Sequence, residues 1–570
     1  MTLTEGFHLL ATAPDGIKRL RELILSLAVQ GKLVPQDPND EPASELLKQI
    51  RAEKQRLIAE GKIKKDKPLP AIGDEEKPFE LPDSWCWARL ADVSSYIQRG
   101  KGPVYADFSD FRVVSQKCVR WTGLDIEPAR FITPESLDKY EEIRFLRDGD
   151  LLWNSTGTGT IGRACLVTNA HATQKLVADS HVTIVRPVIL EPIYLWRWIQ
   201  SPIVQSEIEG SASGTTNQIE LNTSTVISHL IPVPPLGEQS RIVAKVEELM
   251  ALCDALETRG QLEAEQHARL TATLFDALAA SESAHQLQEN WARLAASFDL
   301  VLDRPQAVDA LEQTILQLAV RGLLVPQDPA DEPASELLKQ IRAEKDRLIA
   351  EGKIKKDKPL PAISDEEKPF DLPEGWEWVR LGDVSNVLSG NAFASEDFST
   401  ESGIRAIKIT NAGVGELVET EDYLPIEFAS RFANFAVAAR DLILALTRPY
   451  ISTGLKISLC PESYDGALLN QRVAAIRCGF GIDNSFAFLF MSSPHVLNIY
   501  QERFGGSGLQ PNLKVKDVTE LLLPLPPFAE QSRIVARVEA LRTLCGQLRQ
   551  RLAASRDTQG QLASALLAQG

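Results

Sequence analysis

The sequence is poor in the features that mark membrane proteins, metalloproteins and disulfide-stabilised proteins. Its seven cysteines are scattered, with no Cys-x-x-Cys pair and no Cys/His cluster at zinc spacing, which predicts reduced thiols and no structural metal. No run of about 18 apolar residues is free of charge, and the first twenty residues lack the regions of a secretory signal. We therefore expect a cytoplasmic protein, and 570 residues are enough for three or four domains.

Catalytic motifs are also missing. The sequence contains no Walker GxxxxGK[ST], no Asn/Asp-Pro-Pro-Tyr/Phe of an amino-methyltransferase, no GxSxG and no HExxH. Residues 157–162 fit GxGxxG, but strand-like RACLV follows where a dinucleotide site needs a helix. This glycine loop is a plain hairpin or a close approach of the backbone to DNA, and a nucleotide-dependent enzyme that uses the Gly157 loop is a third hypothesis. Two well-formed domains without chemistry predict a binding protein, not an enzyme.

A long internal repeat is the main feature that is present. Residues 33–82 and 324–373 are identical at 46 of 50 positions, and PVPPLGEQSRIV (from Pro232) returns as PLPPFAEQSRIV (from Pro524). The segments between these blocks have diverged, although their lengths differ by one residue. Two units of about 290 residues predict an approximate twofold relation, unlike the many short units of a solenoid. The predicted segments are residues 1–92, 93–231, 232–383, 384–523 and 524–570.

Apolar spacing predicts the helices of the constant blocks. Residues 43–60 form a helix that begins after Pro42 and ends at Gly61, and the basic KIKKDKPLP after it is an exposed linker. Longer helices begin near Ile242 and Ile534, with heptad seams that include Leu270, Leu562 and a polar His267. We expect these seams to pair as antiparallel coiled-coil helices. About 33 residues span about 50 Å, or about fifteen base pairs of B-DNA.

The diverged segments are predicted to share one fold. Both open on Trp-x-Trp-x-x-Leu-x-Asp-Val and continue as short strands, then a helix and a Gly/Ser-rich loop. The predicted class is α+β: two similar mixed domains with mostly antiparallel sheets, separated by the pair of long helices.

These patterns resemble the specificity (DNA-recognition) subunit of type I restriction–modification systems. The Pro-Pro-x-x-Glu-Gln elements, the LVPQDP blocks, the Trp-x-Trp motifs and the alternation of constant and variable segments carry the resemblance along the whole chain. It implies two target recognition domains, each reading half of a split, asymmetric site on double-stranded DNA. It also implies two methyltransferase subunits as partners, joined by restriction/translocase subunits. S-adenosylmethionine, ATP and Mg²⁺ would lie on those partners, and this chain would hold no cofactor or metal.

Candidate DNA-binding residues are those whose side chains can read base edges: Arg or Lys toward guanine, Asn or Gln toward adenine, Thr toward the thymine methyl. In the first domain they are Arg99, Lys101, Gln116, Lys117, Arg120, Asn154, Thr156, Thr158, Arg163, His181 and Gln218. In the second they are Asn391, Lys408, Asn411, Thr447, Arg448, Lys456, Gln471, Arg472, Gln510 and Asn512.

The charge leaves an alternative open. The net charge is −17, and the variable segments 93–231 and 384–523 carry about −2 and −4. An isolated nucleic-acid binder usually has a basic face, so a coiled-coil protein-interaction scaffold without DNA binding is the competing hypothesis. A local basic cleft on an acidic protein would reconcile DNA binding with this charge.

Overall fold

The chain divides into two units of similar construction. The computed structural model describes residues 13–157, 159–212, 220–352, 359–479, 481–504 and 510–568. The first unit runs to Leu262 and includes the chain from Arg556 onward, and the second is Glu263–Ser555. No described helix is long and apolar enough to cross a membrane.

The helices of the first unit come from both constant and variable segments. They are α1 (Gly16–Val29), α2 (Ala43–Ala59), α3 (Asn169–Ala172), α4 (Pro192–Gln200), α5 (Pro202–Ala212), α6 (Thr223–Ser228) and the first part of α7 (Leu236–Ala279). Its strands are β1 (Cys86–Arg89), β2 (Ser94–Arg99), β3 (Arg112–Val114), β4 (Val119–Arg120), β5 (Gly123–Leu124), β6 (Arg130–Phe131), β7 (Leu151–Asn154), β8 (Ala164–Leu166), β9 (Leu176–Ala178), β10 (Val182–Pro187) and β11 (Leu230–Val233).

The second unit repeats this order and adds helices before it. The helices are α8 (Ala284–Ala296), α9 (Phe298–Val301), α10 (Pro305–Val320), α11 (Ala334–Ala350), α12 (Leu381–Val384), α13 (Phe428–Arg431), α14 (Asn484–Met491), α15 (Pro494–Phe504), α16 (Val515–Thr519) and most of α17 (Phe528–Ala568). The strands are β12 (Glu377–Arg380), β13 (Ser385–Ser389), β14 (Ile404–Ile407), β15 (Tyr423–Leu424), β16 (Leu442–Ala445), β17 (Tyr450–Ile451), β18 (Gly454–Leu455), β19 (Ile457–Leu459), β20 (Leu468–Leu469), β21 (Val473–Cys478) and β22 (Leu522–Leu525).

Each unit is built around a four-stranded antiparallel sheet that is covered on both faces. The orders are β2-β10-β7-β8 and β13-β21-β16-β19. Along β7, Leu151 and Trp153 join the core beneath the helices, while Leu152 joins the core beneath the small strands. Successive side chains of a strand point to opposite faces, so a fully apolar strand such as LLW suits a sheet with two cores. A second, three-stranded sheet contains a parallel pair, β3 with β9 and β14 with β20, which the sequence analysis did not predict.

The two ends of each variable segment meet in a two-stranded sheet. Cys86 of β1 pairs with Val233 of β11, and Glu377 of β12 pairs with Leu525 of β22. The predicted boundary at residues 92/93 follows β1, and the one at residues 231/232 falls inside β11, its hydrogen-bonded partner. We call each two-stranded sheet a clasp.

The repeated Pro-Pro-x-x-Glu-Gln element has a structural role next to each clasp. The carboxylate of Glu238 accepts hydrogen bonds from Trp85 Nε1 at 2.9 Å and Gln36 Nε2 at 2.6 Å. Glu530 accepts the same pair of bonds from Trp376 and Gln327, at 3.0 and 3.1 Å. A buried carboxylate needs such donors, so the repeated Glu and Trp form one unit.

The neighbouring glutamine joins the helix to the variable segment. Gln239 accepts from the backbone N–H of Glu191 at 2.9 Å and donates to Pro234 O at 2.9 Å. Gln531 accepts from the N–H of Asp483 at 2.8 Å and donates to Pro526 O at 3.2 Å. These contacts account for the element without any external ligand.

Helix α2 confirms the prediction for residues 43–60, and Lys62–Lys67 after it are mostly exposed, whereas residues 353–358 of the second linker lie outside the described residues. The long helices begin at Leu236 and Phe528, earlier than predicted, because the backbone N–H of Gln239 already bonds to Pro235 O. Leu270 and Leu562 were predicted in the seams, but they are exposed by 42% and 51%, and Thr271 and Ala563 are buried instead. A straight helix drifts from a heptad repeat by about 20° per heptad, which moves the buried stripe by one residue.

Candidate nucleic-acid interface

In each unit, three loops meet at one end of the four-stranded sheet. The N–H of Ser155 bonds to His181 O at 2.9 Å, and the N–H of Leu221 bonds to Ser155 O at 2.8 Å. The second unit repeats this arrangement, with Leu446 bonded to Arg472 O at 2.8 Å and Leu513 to Leu446 O at 2.7 Å. We call residues 154–157, 159–163, 179–181 and 220–222 rim 1, and residues 445–449, 470–472 and 510–513 rim 2.

Rim 1 brings together several of the predicted residues through side-chain contacts. Thr156 Oγ1 lies 2.7 Å from His181 Nδ1. Arg99, at the end of β2, forms an ion pair with Glu220 and donates to Leu221 O at 2.7 Å. Both terminal nitrogens of Arg99 are therefore engaged by this loop. Glu220 was missed by the sequence analysis, because nothing in its local pattern marks it as a partner of Arg99.

The glycine loop of rim 1 connects the antiparallel strands β7 and β8, so a strand and not a helix follows it. Gly157 has φ 103°, and a Cβ there would lie 2.3 Å from Gln116 Oε1. Thr160 Oγ1 donates to Gln116 Oε1 at 3.2 Å, and Arg163 Nη2 donates to Gly159 O at 2.7 Å. A φ of this size favours glycine over any residue with a Cβ, and strand β8 follows the loop where a dinucleotide site needs a helix.

Two predicted residues are buried and hold loops. Asn154 is 0% exposed, and its amide donates to Gln116 O at 3.1 Å and Thr160 O at 3.2 Å. Asn411 is 0% exposed, and its amide donates to Val418 O at 2.8 Å. Neither amide faces solvent, so their contribution to an interface is to position the loops around them.

Rim 2 presents two exposed arginines on unusual backbone. Arg448 has φ 49° and Arg472 has φ 72°, in the left-handed region that costs a residue with a Cβ about 1 kcal/mol. The N–H of Arg448 bonds to Pro511 O at 2.9 Å, and Thr447 forms a β-bridge with Asn512. Asn512 Nδ2 in turn donates to Gln510 O at 3.2 Å. Neighbouring loops therefore hold the backbones of Arg448 and Arg472 at the end of the sheet.

The other predicted residues of the second unit surround rim 2. The N–H of Gln471 bonds to Asn391 O at 2.7 Å, and the N–H of Lys456 bonds to Pro449 O at 2.7 Å. Lys408 lies beside the rim, but its Nζ pairs with Asp422 at 2.6 Å. Among the described residues, Arg448, Arg472 and Lys456 have no acidic partner within 4.0 Å. Rim 2 is thus locally basic in an acidic protein.

The remaining predicted residues of the first unit are not part of rim 1. Lys117 is exposed in the turn after β3, next to Gln116. Arg120 lies in the β4–β5 hairpin, 3.7 Å from Asp125. The backbone of Lys101 is held by Tyr140, whose hydroxyl donates to Lys101 O at 2.6 Å. Thr158 and Gln218 lie outside the described residues. Within the described residues, no group of His, Cys, Asp and Glu could hold a metal ion.

Comparison with known proteins places this architecture in a family. Residues 82–266 and 373–554 match the model of the type I restriction modification DNA specificity domain. The type I restriction enzyme EcoAI specificity subunit of Escherichia coli is 41% identical over 97% of this chain and 93% of its own length. The EcoEI specificity subunit, also of Escherichia coli, is 36% identical with the same coverage. The crystal structure of the HsdS subunit from Thermoanaerobacter tengcongensis is 19% identical, with a TM-score of 0.42, over 86% of this chain and 97% of that one.

The chain therefore belongs to the family of specificity subunits, the non-catalytic DNA-recognition subunits of type I restriction–modification systems, as its sequence motifs implied.

Proposed function

We propose that the chain reads a bipartite, asymmetric DNA site, with one recognition domain for each half. The observation that carries this proposal is the pair of rims, which occupy the same place in the fold and carry different side chains. Thr156 and Thr447 are equivalent, but rim 1 has Gly157 and His181 where rim 2 has Arg448 and Arg472. Two different surfaces on one framework fit two different half-sites.

The chemistry of rim 2 suits guanine or phosphate. Arginine most often contacts O6 and N7 of guanine, and an unpaired cation next to it can contact the backbone. Arg448 and Arg472 are exposed and lack acidic partners among the described residues, so they are the best base readers of this domain. The local excess of cations also answers the objection raised by the net charge of −17.

The long helices are proposed to set the distance between the half-sites. Helix α7 has 44 residues and α17 has 41, lengths of about 66 and 62 Å at 1.5 Å per residue. Their antiparallel pairing is inferred from the twofold relation of the sequence. Insertion of seven residues into both helices should change the unread gap and leave both half-sites as they are.

Two methyltransferase subunits are the proposed partners, and the exposed faces of α2 and α11 are the surfaces that favour this. Exposed positions usually tolerate substitution, yet these helices differ only at Gln55 and Asp346. The retained exposed residues include Lys48, Arg51 and Arg56, repeated as Lys339, Arg342 and Arg347. A surface kept identical in two copies suits two copies of one partner. S-adenosylmethionine, ATP and Mg²⁺ would act on the methyltransferase and restriction subunits.

Exchange of one recognition domain tests whether each domain reads one half-site. Residues 93–231 would be replaced by the corresponding segment of another specificity subunit, and methylated adenines would be sequenced in cells that carry the complete system. One half of the modified site should change while the other half and the gap stay the same. The matched control replaces residues 384–523. If one exchange altered both halves, reading by separate domains would be refuted.

The acidic net charge favours one competing function, a protein scaffold that does not bind DNA. Mobility shifts on DNA that carries the modified site, with the assembled complex, separate the two. A shift that disappears with Arg448→Ala and Arg472→Ala supports recognition by rim 2. No shift from the complete complex would leave the scaffold as the function.

A further inference from the structure

In both units a short helix of the constant block packs on a long helix through the same apolar residues. Helix α1 packs on α7, and α10 packs on α17, in the two main cores. Matched positions on the short helices bury Leu20 and Leu311, Ile24 and Ile315, and Val29 and Val320. On the long helices they bury Val246 and Val538, and Cys253 and Cys545. Apolar burial at these matched positions therefore cannot distinguish the correct partner of either short helix from the incorrect one.

The ion pairs at the edges of these two interfaces have opposite polarity, because the arginine lies on the short helix in the first unit and on the long helix in the second. In the first unit, Arg21 on the short helix pairs with Asp254 and Glu257 on the long helix, at 2.6 and 2.8 Å. In the second, Arg549 on the long helix pairs with Asp309 and Glu312 on the short helix, both at 2.8 Å. Glu312 occupies the position of Arg21 in the repeat, and Arg549 occupies that of Glu257. Each arginine bridges two carboxylates three residues apart, from opposite sides of the same interface.

Exchange of partners would place like charges together. Helix α10 on α7 would bring Asp309 and Glu312 beside Asp254 and Glu257, a cluster of four carboxylates. Helix α1 on α17 would bring Arg21 beside Arg549, and Lys18 occupies the position of Asp309 in the repeat. Like charges at this distance repel, and opposite charges attract, so both correct pairings gain and both incorrect ones lose.

The order of the chain makes such discrimination useful. Asp309 follows Glu257 by 52 residues, whereas 236 residues separate Arg21 from Glu257. Loop closure becomes less probable with about the 3/2 power of length, so an unfolded chain brings α10 to α7 about ten times more readily than α1. The shorter loop thus favours the incorrect pairing, and the side-chain charges oppose it.

We propose that these reversed ion pairs form an internal pairing code, which directs each copy of the repeated short helix to its own long helix. The partner recognised is a segment of the same chain, distinguished from its near-duplicate by the charges at these positions. This inference concerns folding and does not rest on DNA recognition. A chain without the code should refold partly into mispaired species, some of them dimers in which helices are exchanged between molecules, because the matched apolar positions accept either partner.

Paired charge exchanges test the code in the full chain. Arg21→Glu with Glu257→Arg keeps an ion pair in the first unit but gives both units the same polarity. Glu312→Arg with Arg549→Glu does the same from the second unit. The fourfold variant that combines these substitutions reverses both units and restores distinct polarities. All are refolded from denaturant at low ionic strength, and the fractions of monomer and dimer are measured by size-exclusion chromatography with light scattering.

We expect each double exchange to raise the dimer fraction by about threefold or more, whereas the fourfold variant returns to the wild-type value. Because the fourfold variant contains every substitution of the doubles, its recovery would separate pairing from simple loss of stability. The two doubles serve as replicates of one test, so failure of one to fold leaves the other. Equal monomer yields for wild type, doubles and fourfold variant would overturn the proposal.

Discussion

His229 gives the first unit a dependence on pH that a single substitution should remove. The residue ends the loop before β11, and its ring lies between Trp153 and Trp198, with centroids 5.4 and 6.1 Å away. Its Nε2 is enclosed and has no hydrogen-bond partner among the described residues. Desolvation disfavours the charged imidazolium and lowers the pKa of His229 from 6.5 to about 4.

The sign and size of the effect follow from proton linkage. The unfolded chain binds the proton at its ordinary pKa of about 6.5, while the folded chain binds it only near 4. The stability that results is complete above pH 6.5 and is lost as the pH falls toward 4. Full burial would give a loss of about 2 kcal/mol between pH 7 and pH 5, and the partial exposure of the residue reduces this to about 1–2 kcal/mol.

The repeat supplies a matched replacement, because Leu521 stands at the position of His229 in the second unit and is 6% exposed. The variant His229→Leu should therefore fold, and its free energy of unfolding should fall less between pH 7 and pH 5 than that of the wild type. Urea unfolding followed by tryptophan fluorescence measures both proteins at both values. At pH 7 the difference in unfolding free energy between the two proteins reflects packing alone, and this difference is the internal control. The same loss in both proteins would refute the assignment to His229.

Three further predictions concern the rims and the repeated motif. Arg448→Ala should cost about 1–3 kcal/mol of DNA-binding free energy and relax the preference at one base pair of one half-site. Lys456→Ala should weaken binding to all sequences alike. Selection from randomised duplexes distinguishes the two effects, and uniform weakening by both variants would assign Arg448 to a phosphate contact. Gly157→Ala should weaken DNA binding more than Gly159→Ala, since both have positive φ but only the first Cβ meets Gln116; equal titration curves for the two variants would contradict this. Trp85→Phe should destabilise its unit by about 1–3 kcal/mol because Glu238 loses a hydrogen-bond donor, and Trp376→Phe should do the same because Glu530 loses one. The control is Trp87→Phe, since the indole N–H of Trp87 has no partner among the described residues. Equal losses for Trp85 and Trp87 would show that ring packing, not the hydrogen bond, matters.

The sequence was sufficient to predict what depends on local pattern. Helix α2 follows from apolar spacing between Pro42 and Gly61, and the equivalence of His181 and Arg472 follows from the alignment of the two copies. Exposure of a polar side chain depends instead on what packs over it. Asn154 and Asn411 have the residue type of base readers, yet contacts with residues distant in sequence bury them. The left-handed backbone of Arg448 and Arg472 is also set by neighbouring loops, so no local signal announces it.

The clasps have a consequence for how such a chain can change over time. Because each variable segment leaves and rejoins the constant framework through two adjacent strands, its ends stay side by side whatever lies between them. Foreign DNA recombined between the two flanking blocks would encode a new recognition domain on an unchanged framework. The protein could then acquire a new target sequence in one genetic event, and the rest of the assembly would not have to adapt.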